Sequence, residues 1–128
     1  MFARNLIFSI IAVIALLLQV ACYYDKEEKL YPDENDPANC DTTLVTYSGF
    51  IAPLLQTKCL VCHSATASLG NVVLEGYAAT QQYASNGKLY GSINHSAGFS
   101  PMPQGGGKLP ACDIAKVKKW IDDGAPNN

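Results

Sequence analysis

The sequence predicts an all-α fold of three to five short helices, and two stretches carry most of that expectation. Tyr47, Phe50, Ile51, Leu54 and Leu55 recur at i, i+3, i+4, i+7 and i+8, the spacing of one helix face. Near the other end, Ile114, Val117 and Ile121 share a face with Trp120 beside them, opened by Pro110 and stopped by Gly124 and Pro126. Taken in order, the first helix runs from Thr46 to Thr57, with Thr46 as its N-cap. Pro53 lies inside it. A proline there deletes one backbone bond and clashes with the preceding turn, so a kink or split near Ala52 is expected. Ser64 to Gly76 reads mostly as loop. Tyr77 to Ala84 is a short helix ended by Asn86-Gly87, and Lys88 to Asn94 a weaker one presenting Leu89 and Ile93. Pro110 to Asp123 is the clearest helix of the chain.

Size and charge bound the rest. With 128 residues there is room for one domain, which excludes large multi-domain enzymes and repeat arrays. Lys+Arg total 9 against 11 Asp+Glu, a formal charge of −2, so a basic nucleic-acid-binding module is excluded as well. The hydrophobic content of 48% is unevenly spread, because Leu6 to Ala21 is a run of sixteen residues without a charge. Following Arg4 and ending in small residues, it has the layout of a secretory signal peptide over 1–21. It falls short of the ~20 apolar residues that span a bilayer, the alternative being an uncleaved anchor.

Leu18-Gln19-Val20-Ala21-Cys22 resembles the lipobox of bacterial lipoproteins, in which the cysteine is lipidated and becomes the new N-terminus. Gln19 departs from that pattern, which prefers an aliphatic residue there; a free or disulfide-bonded Cys22 is the other reading. Residues 22–39 then form a lipidated N-terminus and tether, six acids, two lysines and two prolines between Tyr23 and Asn39, with no helical or strand period. Lys26-Glu27-Glu28 also resembles a signal that sends some lipoproteins to the cell surface; a plain acidic linker accounts for it equally. Either way the domain, residues 40–128, is expected in the cell envelope, lipid-anchored and facing the periplasm or the exterior, where disulfides persist.

Cys59-Leu60-Val61-Cys62-His63 carries the chemistry. Two thiols at this spacing on a helical turn add to the two vinyl groups of one haem, and the next residue then offers its imidazole to the iron from the proximal side. A bare CxxC is shared with zinc sites and thioredoxin-like proteins. Here there is no second CxxC and no βαβ pattern. For a distal ligand, the chain beyond residue 21 offers one methionine, Met102, and one further histidine, His95. Met102 lies in Gly98-Phe99-Ser100-Pro101-Met102-Pro103-Gln104-Gly105, a stiff polar loop that is an odd place for a core methionine. It suits the presentation of one thioether to iron. His95 as distal ligand, or a five-coordinate haem with its distal position open, are the alternatives.

From Cys40 to Pro126, about 87 of the 128 residues, the chain resembles a class I mono-haem cytochrome c domain of a bacterial lipoprotein. The resemblance rests on CxxCH at 59–63, the Pro101-Met102-Pro103 loop and the closing amphipathic helix. It implies helices wrapped around one covalently bound haem c, axial ligation by His63 and Met102, and electron transfer. It also implies that the first and last helices cross, packing Ile51 and Leu55 against Val117, Trp120 and Ile121. No arginine follows residue 21 to grip the haem propionates, which leaves Lys88, Tyr90, Trp120 Nε1, backbone amides or water.

With Cys22 lipidated and Cys59 and Cys62 on haem, Cys40 and Cys112 are left to pair as a disulfide. The favoured function is a membrane-tethered, monomeric one-electron carrier that changes no substrate and docks on a redox protein of the envelope. The competing functions are a haem-based module that binds or senses a small ligand at an open or His95-ligated distal site, and a peroxidase with His95 as acid/base group.

Overall fold

The computed structural model describes residues 39–128. The expected signal peptide, Cys22 and all but the last residue of the expected tether lie outside the described residues. Within them the secondary structure is helical, without strands, in agreement with the expected class. Five α-helical segments follow in order: α1 (Ala52–Lys58), α2 (Leu60–His63), α3 (Tyr77–Ser85), α4 (Lys88–Ile93) and α5 (Ala111–Asp122). No helix among the described residues is long and apolar enough to cross a membrane.

The first expected helix is divided at the place where Pro53 threatened it. Tyr47–Ile51 winds as a wide π turn, in which Ile51 N–H donates to Thr46 O at 3.2 Å and Ala52 N–H to Tyr47 O, five residues back. A new α-helix then starts with Pro53 in its first turn, where an N–H has no partner to lose. Thr46 is the N-cap, its Oγ1 accepting from Gly49 N at 3.0 Å. A Cβ on Gly49 would fall 2.7 Å from that hydroxyl, so the cap needs glycine there. The two other open donors of this turn are served from the far end of the sequence: Ser48 N–H reaches Asn128 O (2.8 Å) and Tyr47 N–H reaches Asn128 Oδ1 (2.7 Å). Asn128→Ala is expected to lower stability by about 1 kcal/mol in urea unfolding. An unchanged midpoint would mean that water serves Tyr47 equally well.

The remaining boundaries fall within about a residue of the expectation, and glycine writes the stops. Gly87, at φ 77°, separates α3 from α4. Gly124, at φ 91°, closes α5, with Gly124 N–H donating to Ile121 O and Ala125 N–H to Trp120 O, the paired bonds of a Schellman end. In the 64–76 loop a short 3₁₀ turn spans Leu69–Asn71.

The core gathers one face of each longer helix. Ile51 and Trp120 are fully buried and share a cluster with Leu55, Leu74, Leu89, Ile93, Ile114 and Val117, against which Ile121 is half-buried. The contact between the first and last helical segments runs through the π turn. The Tyr47 ring lies 5.9 Å from that of Trp120, and Lys116 Nζ sits 4.9 Å from the centre of the Phe50 ring. Buried polar groups are answered: Thr80 Oγ1 donates within 3.0 Å of Leu74 O and Gly76 O, and Trp120 Nε1 donates to Pro126 O at 2.9 Å.

Cys40 and Cys112 stand with their sulfurs at bonding distance, 2.09 Å, joining positions 72 residues apart. The bridge ties the start of the domain to the first turn of α5. Closing a loop of that length contributes ~4 kcal/mol through the unfolded chain. Replacing both cysteines by serine is therefore expected to cost about that much in denaturant unfolding; a loss under ~1 kcal/mol would show that the loop is already constrained without the bond.

Candidate functional site

The CxxCH segment folds as one tight turn at the junction of α1 and α2. Cys62 N–H and His63 N–H both donate to Cys59 O, at 3.1 and 2.9 Å, so the three residues share a single helical turn. Cys59 and Cys62 are free thiols; Cys59 is partly buried and Cys62 exposed. Burial, helped by the neighbouring Cys62, pushes the Cys59 thiol up to about 11. That is opposite to the low value of a redox-active or nucleophilic CxxC cysteine.

His63 is held by the loop that follows. Its Nδ1 lies 3.3 Å from Val72 O, and its own carbonyl accepts Leu74 N–H at 2.8 Å. A carbonyl can only accept, so Nδ1 carries a proton, and in the neutral ring this leaves the lone pair on Nε2 for another partner. Metal-binding histidines are oriented in this way, by a backbone carbonyl on the opposite nitrogen.

Met102 is fixed from α4. Its N–H donates to Ser92 O at 3.0 Å, and its carbonyl accepts from His95 Nε2 at 3.0 Å. Phe99, from the same loop, lies flat on the helix at Gly91: a Cβ there would be 2.6 Å from the ring.

A cavity of about 530 Å³ joins these pieces. Cys59, Cys62, His63 and Met102 all line it. The rest of the wall is largely apolar, with Leu69, Val72, Leu74, Leu89, Ile93, Phe99 and Leu109. The three residues of the motif and the one methionine of the domain thus face a common space. His95 does not line it. Its ring is engaged with the Met102 carbonyl.

Among the polar groups named for a carboxylate-bearing cofactor, Lys88 lines the cavity. Tyr90 does not, lying beneath Lys118 Nζ at 5.7 Å, and the Trp120 indole is spent on Pro126 within the core. Lys58, Tyr83, Ser92 and Gln104 also line the wall, and none was singled out from the sequence. Lys58 is adjacent to Cys59, which was the one available signal; the others depend on how α3, α4 and the methionine loop come together. Among the described residues no three His, Cys, Asp or Glu side chains gather to hold a bare metal ion. No family model, curated protein or solved structure matches the chain.

Proposed function

We propose that the chain is a membrane-tethered c-type cytochrome that carries single electrons, with haem c held by Cys59, Cys62, His63 and Met102. One observation carries the reading: the CxxCH turn and Met102, distant in sequence, line the same cavity. The residues suit the group. A volume of about 530 Å³ lies within the ~300–1,000 Å³ of cofactor sites, and an apolar wall with few polar groups is the usual lining. An imidazole whose Nε2 is unspent and a thioether are the donor types that would hold the iron of a haem. Cys59 and Cys62 would each add sulfur and hydrogen across one vinyl double bond, an addition that balances with no leaving group. Lys58 and Lys88 are the cations at hand for the propionates.

When bound, the haem supplies a one-electron ferrous–ferric change. The chain's part is to hold the axial donors, exclude water with the leucine, valine and phenylalanine wall, and favour the ferrous form through a thioether rather than a second imidazole. Lipidation at Cys22 would place the domain on a membrane of the cell envelope, and residues 23–39, if treated as a random coil, would span roughly 20–25 Å toward a redox protein partner. The sensing alternative needs an open distal position, and the test separates the two.

The test is optical spectroscopy of the chain without Cys22, produced with haem-maturation machinery. A covalent c-type spectrum with the weak far-red band of ferric methionine ligation is expected. Covalent haem lacking that band would make ligand sensing the better reading. Protein without covalent haem would overturn the proposal.

A further inference from the structure

We infer that His95 is the positioning residue of Met102, acting on the thioether through the backbone rather than on iron. The inference rests on Met102 being the distal ligand. Both backbone groups of Met102 are held by α4 or the residues just after it: the N–H by Ser92 O, the carbonyl by His95 Nε2, each at 3.0 Å. The carbonyl can only accept, which puts the proton on Nε2 and makes His95 the donor. The approach of the ring is set by the turn that leaves α4. His95 itself adopts φ 55°, a left-handed conformation uncommon for a side-chain-bearing residue, and Ser96 N–H turns back to Gly91 O at 2.9 Å. That turn places the exposed imidazole over the loop backbone, while the cavity wall is left to the methionine side.

Without the His95 bond the carbonyl of Met102 passes to water, and the loop is free to lift its sulfur from the site. The population with Met102 displaced then rises, and any added ligand that competes for that position binds more tightly.

The experiment is an imidazole titration of the ferric, detergent-solubilised, haem-loaded full chain, comparing wild type, His95→Asn and His95→Gln. Asparagine tolerates the left-handed backbone but is too short to reach the carbonyl; glutamine retains an amide donor with more reach. His95→Asn is expected to weaken the far-red band and to lower the apparent Kd for imidazole about five- to tenfold, the size of one hydrogen bond. His95→Gln is expected to return both toward wild type. An asparagine variant identical to wild type, or a glutamine variant no better than asparagine, would overturn the assignment of His95 alone. A wild type with covalent haem and no far-red band would overturn the Met102 ligation as well, so the two failures are told apart.

Discussion

A Cys59→Ser, Cys62→Ser double variant is expected to yield no covalently bound haem at all. The readout is haem stain after denaturing electrophoresis, where wild type retains colour and the double variant shows none. Each single variant should keep one thioether and a weaker stain. The argument is geometric before it is chemical. Cys59 O accepts the N–H groups of both Cys62 and His63, so the two sulfurs and the imidazole belong to one turn at the edge of one cavity. Persistent covalent colour in the double variant would sink the attachment. If wild type and variant were both colourless from a haem-maturing host, the cofactor reading itself would fall.

Met102→Ala carries the second large effect. Removing the thioether should abolish the far-red band, let imidazole or cyanide bind without competition, and lower the midpoint potential. The drop should be on the order of a hundred millivolts, a fraction of the ~0.8 V range that axial ligands span. The fold should survive, because Met102 stands in a loop and does not belong to the buried cluster; circular dichroism checks this. An unchanged potential and ligand affinity would mean that the position opposite His63 was open from the start, and the small-ligand module would then be the better account.

The helices were legible because burial of one face imprints a 3.6-residue pattern on the side chains. Ile51, Leu55, Ile114, Val117 and Trp120 carry that pattern and all lie in the core. The break at Pro53 was legible too, since a missing N–H must be accommodated somewhere. The form it took was not, because widening Tyr47–Ile51 into a π turn is a choice among backbone solutions that side chains scarcely bias. The site divides along the same line. CxxCH and the methionine between two prolines announce themselves by residue type. The groups that orient them, Val72 O on His63 and Ser92 O on Met102, are carbonyls, and every residue has one. His95 was noticed as a competing ligand, whereas its ring is turned to the Met102 backbone. Its role depends on the left-handed turn after α4, which Asn94-His95-Ser96 does not signal by composition.

The bonds from Tyr47 and Ser48 to Asn128 also bear on the order of events during synthesis. Tyr47 emerges 81 residues before the side chain that completes its turn, and Tyr77 precedes its Ala125 acceptor by 48. Loops of that length close slowly, and their entropy must be spent before the contacts repay it. A partly made chain therefore lacks the partners of its opening helical turn until residues 125–128 have been added. On the proposed reading, in which the chain crosses a membrane unfolded and meets haem on the other side, late closure would keep the cysteine turn accessible until the cofactor arrives.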